Sequence, residues 1–429
     1  MDRSNVRGVP ASAEDSTPPA AAGSLPGSPA RRLALYAGVG ALGRAATVAM
    51  PSAIVLAVIG AGESPADGSL LVASVSAVGA IVGPVVGAFI DRMGRPRQGF
   101  LFGLVVLAVG SMVLAFGIGT WPIGLLLVVS GLTGLAQPVM VGAWSGQVRR
   151  IVPDMPAARV YAVDVGTYNV AEVTGPALVG AAFVIDASFP GAISLEVVAL
   201  IFVFAAVILP FVPIPARSET TSSPPEPMGR TLRHVRVMVR SLSLRRNTII
   251  GTISFAAIAF IIIATPLLGE ELGGDAGVGV FLLTVIAIGA LLGTAVLARR
   301  PIAWRGPGTV ALGATVLLGI LLVAMSFSPA FWVAAVFALL FGMVQASQLT
   351  SIFRVRDREA PTEARGMVFV ASASLRTGAF AVGSVIAGAL TFAGWRWMLV
   401  AAAGVEFLSV VVALLSAPRR RGVTGGTRA

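Results

Sequence analysis

Twelve apolar stretches, each long enough to cross a lipid bilayer as a helix, dominate this sequence. A bilayer core needs roughly 20 predominantly apolar residues per helix. By that measure spans fall at 33–60, 69–90, 99–118, 122–146, 160–186 and 193–214, and again at 247–268, 277–298, 308–327, 329–351, 366–393 and 397–416. Only 12% of the residues are charged, against about 25% in a soluble chain. A water-soluble fold of this size could not cover itself with so little polar surface. The sequence thus predicts an all-α integral membrane protein with twelve transmembrane helices in two six-helix bundles. Its expected parts are a disordered tail at 1–30, an N-terminal bundle at 31–216, a central loop at 217–246, a C-terminal bundle at 247–417 and a basic tail at 418–429.

What is missing narrows the chemistry. All 31 basic side chains are Arg, so no P-loop lysine and no Schiff-base lysine exists. There is no Cys, and His234 is the single histidine. That excludes disulfides, Cys/His metal sites and triads built on a buried imidazole. No catalytic constellation appears, so neither an enzyme nor a cofactor is expected. Uphill movement of a solute would have to draw on an ion gradient, with protons as the expected ion.

The Arg residues map the topology. Of the 31, 28 lie in the two tails and in the even-numbered connections. Arg396 stands alone in the odd-numbered connections, and Arg44 and Arg376 fall inside spans. By the positive-inside rule both termini are cytoplasmic. The basic surplus is then a topology signal whose partner is anionic lipid headgroups rather than nucleic acid. No obligate protein partner is evident.

An internal repeat follows from a shift of 206 to 208 residues. Gly83 and Gly87 fall on Gly289 and Gly293, Gly134 and Gln137 on Gly342 and Gln345, Arg159 on Arg365, and Gly175 and Gly180 on Gly383 and Gly388. Six spans per half give the halves the same orientation, related by an axis along the membrane normal, with a cavity between them near the midplane.

The loop Gly87-Ala-Phe-Ile-Asp91-Arg92-Met-Gly94-Arg95-Pro-Arg97, between the second and third spans, resembles the signature loop of the major facilitator superfamily. The resemblance covers about residues 31–418. It implies a cytoplasmic gate in which Gly87 and Gly94 permit tight packing and reversal, and in which Asp91, flanked by Arg92 and Arg95, docks near Arg365-Gly366. The second half keeps Arg299 and Arg300 but has Leu297 in place of the Asp. Gly175-Pro176-Ala-Leu-Val-Gly180 is similar to the core of a motif associated with exporters in that superfamily, and equally suits a general small-residue packing seam. The Arg that drug exporters of the family often carry three residues before the fourth-span Gln is replaced by Gly134.

Ionisable groups inside a membrane need a reason. Arg44 and Glu172 lie at similar depths, roughly 16 and 18 Å along their helices, and the family fold makes the first and fifth spans neighbours. They are expected to pair, either as a static bridge or as a proton site in which Glu172 releases Arg44. Arg376 has no acid at its level in its own half, which suits either a ligand or a bond to backbone carbonyls or Gln345. Glu406 suits a structural or lipid-adjacent role. Asp164 suits a gate contact or a first-turn helix charge. Gln137 and Gln345 are expected to face the cavity from the two halves, or to bond helices together. Asn169, Tyr168, Trp144, Phe255 and Phe341, with Phe260 and Phe337, are candidates for its wall.

The expected function is proton-coupled efflux of a hydrophobic drug-like compound across a bacterial plasma membrane. The Arg-, Ala- and Gly-rich, Lys-free composition is of actinobacterial type. The alternatives are import of a small polar solute, or a transport-inactive sensor or lipid-moving protein.

Overall fold

The computed structural model describes residues 26–185, 192–215, 240–299, 306–360 and 365–416. Most of the expected tails and central loop lie outside them. Among the described residues all long elements are helices: α1 (Pro29–Gly60), α2 (Pro65–Arg92), α3 (Pro96–Gly117), α4 (Ile123–Gly134, continued by Val139–Ala143), α5 (Ala157–Ile185) and α6 (Ala192–Ile208), then α7 (Leu242–Gly273), α8 (Ala276–Arg299), α9 (Pro307–Ser326), α10 (Phe331–Glu359), α11 (Arg365–Ala389) and α12 (Gly394–Leu415). Local chemistry fixes their ends. Ser28, Ser64 and Ser241 accept from backbone N–H groups at the starts of α1, α2 and α7. Proline stands in the first turn of α1, α2, α3 and α9, where its missing N–H has no helical partner to lose. Gly274, at φ 77°, ends α7 in the left-handed conformation that glycine adopts most readily.

Among the described residues, eleven of the helices are long and apolar enough by themselves to cross a membrane. The twelfth, α11, carries Arg376 together with Ser372, Ser374, Thr377 and Ser384, and several side chains of its first two turns lie outside the described residues. Large apolar side chains such as Val85, Phe89, Phe102, Phe204 and Ile320 are exposed on the outer surface. A soluble monomer rarely shows so much contiguous apolar surface, and lipid is the solvent that suits it.

Several expected boundaries move, the fourth and tenth for identifiable reasons. The fourth apolar run is not one α-helix. It breaks after Gly134 and passes through Pro138 into a π-helical segment at Val139–Ala143, because proline lacks the N–H that would continue the ladder. The tenth helix runs on to Glu359, past the expected end at 351, and buries Arg356 at 2% exposure. Basic side chains are favourable in a last helical turn.

The halves repeat each other's packing. In the first, α1 packs on α5 and α6, α2 on α4, and α3 on α6; in the second, α7 packs on α11 and α12, α8 on α10, and α9 on α12. Small residues set the close contacts, as membrane helices require. A methyl group at Gly175 would sit 2.6 Å from the Ala45 carbonyl oxygen, and one at Gly383 would meet the equivalent Ala256 carbonyl. Between halves, α5 packs on α8 and α2 on α11. A methyl at Gly180 would lie 2.9 Å from the Gly277 carbonyl oxygen, and one at Gly388 would meet Ser69. Both of these crossings lie at the face where α5 and α11 end and α2 and α8 begin.

Candidate functional site

A cavity of about 290 Å³ lies between the halves. Its two walls differ. The N-terminal half contributes Thr47, Val48 and Pro51 of α1, Ser76 of α2, Gln137 of α4, and Glu172 and Pro176 of α5. The C-terminal half contributes a mostly apolar wall of Phe255, Ile258, Ile261, Ile262, Leu283, Ile286, Ala287 and Phe380, interrupted by Gln345 and Thr377. Glu172 is the ionisable side chain in this lining. Arg376 of α11 stands behind the opposite wall, its guanidinium 4.2 Å from the centre of the Phe255 ring. Glu172 and Arg376 interact electrostatically through space across the boundary between the halves. Neither of the bonds expected of Arg376, to a backbone carbonyl or to Gln345, forms with a described residue.

Arg44 does not pair with Glu172. It reaches toward the start of α5 and binds Asp164, Nη2 to Oδ1 at 2.9 Å. Its Nε donates to the Met140 carbonyl at 3.2 Å and its Nη1 to the Asp164 carbonyl at 3.0 Å. Further bonds go to Thr167 Oγ1 and, at 2.7 Å, to Ser145 Oγ. The Tyr168 ring lies 3.7 Å from the guanidinium, and the Tyr168 hydroxyl donates to the Val141 carbonyl. A guanidinium reaches far from its own Cα, and Asp164 lies within that reach. The π segment of α4 runs beside α5 and presents the Met140 and Val141 carbonyls to Arg44 and Tyr168. Asp164 is therefore a buried member of this network, about two turns past the start of α5 rather than in its first turn. It also accepts from the Tyr36 hydroxyl and from Ser145 Oγ, the latter at 2.9 Å, and is 6% exposed. Tyr36, Ser145 and Thr167 were not singled out from the sequence; the signal available was the four-residue spacing of Asp164, Tyr168 and Glu172, which puts all three on one helix face.

The family model of the Major Facilitator Superfamily matches residues 33–381. The chain belongs to that superfamily. It is a multi-pass membrane transporter protein and not an enzyme, of a family that acts on small molecules as single chains and generally needs no cofactor. Among solved structures it is similar to a point mutant of the nucleoside transporter NupG (TM-score 0.74, 11% identity, covering 91% of this chain and 100% of that one). It is also similar to a bacterial homolog of the human lysosomal transporter Spinster, inward-facing and unoccupied (0.68, 12%, 91% and 98%). A third is a POT family transporter in complex with a thioalcohol-conjugated peptide (0.68, 11%, 90% and 96%). At such identities the likeness shows the shared fold. No curated protein matches the chain in sequence.

In this superfamily member the other expected site residues divide. Gln137, Gln345 and Phe255 reach the cavity; Gln137 Nε2 makes one weak contact, 3.7 Å from Met50 Sδ. Trp144 does not reach it. It is fully buried, stacked on Tyr36 and edge-on to Phe100, because the bend after Gly134 turns it into the N-terminal core. Phe341 and Phe260 are each 1% exposed and likewise belong to the helix core. Tyr168 is taken up by Arg44, and Asn169 is half-buried on α5 outside the lining. In the signature loop a methyl group at Gly87 or Gly94 would meet nothing within 4 Å among the described residues. Arg95 is exposed at the start of α3, while Arg97 donates to the Val212 carbonyl at 3.0 Å. The side chains of Asp91, Arg92 and Arg365, and with them the expected docking contact, lie outside the described residues. Gly175 and Gly180 sit at close helix crossings and Pro176 lines the cavity, an arrangement that serves an exporter motif and a packing seam alike. Glu406 is not lipid-adjacent. It is fully buried and accepts from Ser254 Oγ at 2.8 Å.

Proposed function

We propose that this chain is a proton-coupled secondary transporter that exports a small hydrophobic or amphipathic compound by alternating access, with Glu172 as its proton site. The observation that carries the reading is the two-sided cavity: an apolar wall to hold a greasy body, and opposite it a polar wall with one carboxylate. A pocket that is mainly apolar with a few placed polar groups is the usual form of a small-molecule site. Ionised, Glu172 attracts Arg376 from the other half; protonated, it does not. A proton therefore has a differential interaction with the states in which the halves stand at different distances, which is what shifting their populations requires. A cargo that presents hydrogen-bond donors to the Glu172 wall competes with that proton, and competition is the condition for exchange. The Arg distribution supports placing both chain ends in the cytoplasm of a bacterial cell, with anionic headgroups around the basic loops. It also supports dividing the chain at the central Arg-rich interval.

A second reading rests on Arg376, whose guanidinium makes no hydrogen bond to a described residue. An anionic solute could bond it once Glu172 is protonated, and would then travel together with the proton, as in import. Everted membrane vesicles separate the readings. With hydrophobic fluorescent amines as probes, an imposed proton gradient should drive uptake into everted vesicles carrying the native chain, and Glu172→Gln should abolish the gradient dependence. Undiminished gradient-driven flux in E172Q would reject Glu172 as the coupling group. Stimulation by a gradient only for carboxylate probes, moving with the protons, would favour the second reading.

A further inference from the structure

Building on Glu172 as the proton site, we infer that among the described residues it is the one carboxyl group inside the spans that exchanges a proton during transport, so that each cycle moves a single proton through these helices. Among the described residues three carboxyl groups stand well away from the ends of their helices: Asp164, Glu172 and Glu406. Their surroundings assign each a different protonation behaviour.

Asp164 is surrounded by donors. Its two oxygens accept from Tyr36, Arg44 and Ser145, all donors, while Arg44 is 1% exposed and has no other acid beside it. Protonating Asp164 would leave a buried guanidinium without its counter-charge.

Glu406 is fixed as a carboxylic acid. It is 0% exposed and has one donor, Ser254 Oγ; Ser254 accepts from Gln348 Nε2 at 3.0 Å, and Gln348 also donates to Thr315 Oγ1 at 2.8 Å. Its second oxygen, Oε2, meets no partner among the described residues. The charged groups on the helices packed against α12 lie toward the helix ends, Glu270 of α7 among them, exposed beside Glu271. Arg245 and Arg246 of α7 donate to the Ser416 and Ala413 carbonyls near the far end of α12. Glu271 of α7 binds Arg396 at 3.2 Å at the opposite end, and α9 has no charged residue. A carboxylate held by one hydroxyl and no cation is a costlier burial than a neutral acid with one idle O–H. Since α7, α9, α10 and α12 all belong to one half, this shell travels with Glu406 when the halves rock.

Glu172 has neither constraint. It is exposed to the cavity, the other α1, α2 and α8 residues in the lining are uncharged, and the charge that faces it is Arg376 on the other half.

Infrared difference spectra between acid and alkaline buffers, taken on the full chain in lipid, test the assignment without a cargo. Subtracting the Glu172→Gln spectrum from that of the native chain should isolate one protonated-carboxyl C=O band that grows on acidification. In the absolute spectra recorded at each pH, subtracting the Glu406→Gln spectrum from that of the native chain should isolate a second C=O band of equal height in both buffers. If the band lost in E406Q rises and falls with pH, the inference is overturned while Glu172 remains a coupling acid. If E172Q loses the titrating band yet keeps gradient-driven probe flux, the coupling reading falls and this inference falls with it. Should E406Q not fold, the native chain in D2O decides: a pH-independent C=O band slow to shift supports a sealed acid, and its absence overturns it.

Discussion

A guanidinium inside a membrane needs its donors met, and Arg44 meets that need with five bonds to α4 and α5. The arrangement is all-or-none in character, since removing one partner of a buried pair leaves the other charge uncompensated at a cost of about 3–5 kcal/mol. Asp164→Asn should therefore lower the thermal unfolding temperature of the purified chain in detergent markedly, and Arg44→Gln should do the same. The double variant should lose less than the sum of the two, because the uncompensated survivor is gone. An Asp164→Asn chain that unfolds like the native one would show that the pair contributes nothing. At this scale the sequence told half the story. It marked Arg44, Glu172 and Arg376 as charges needing a reason, but it compared depths of backbone, and a guanidinium reaches far from its own Cα. Asp164 lies two turns before Glu172 on the same face, within that reach. The carbonyls that complete the nest belong to a π segment that no apolar run reveals.

Between helices, the recurring glycines act by letting backbones touch, and the repeat in the sequence is a repeat of contacts. Gly175 lets α5 reach α1 as Gly383 lets α11 reach α7. Overpacking at such a crossing costs about 1–3 kcal/mol. Gly175→Val should thus destabilise the chain by that amount in detergent unfolding, with loss of the N-terminal packing. Gly378→Ala is the control, because a methyl there meets nothing within 4 Å; a G378A loss as large as that of G175V would remove close approach as the explanation. The pairing of small residues across 206 to 208 positions was legible because it leaves a fixed pattern in the chain. An apolar run conceals the break in α4, although Gly134 and Pro138 stand on either side of it.

The twelve helices and their division into halves could be read from hydropathy and from where Arg is absent, because both reflect the solvent each segment meets. The segregation of polar and apolar walls could not, since it depends on which faces α5 and α8, and α2 and α11, turn toward each other. Those two crossings are also where the molecule must part if the cavity is to open at that face. The crossing of α5 and α8 invites a lock. A Cβ at position 180 would lie 3.5 Å from Val280 Cβ, inside the roughly 3.5–4.5 Å range of a disulfide. The chain contains no cysteine to compete. Gly180→Cys combined with Val280→Cys, oxidised in vesicles, should tie α5 to α8 and stop gradient-driven probe flux, and reduction should restore it to the level of Gly180→Cys alone. That single variant is the needed reference, because any side chain at 180 presses on the Gly277 carbonyl 2.9 Å away. Flux that continues through a fully oxidised pair would mean that the halves do not separate along this seam, and that the cavity is reached by some movement other than rocking.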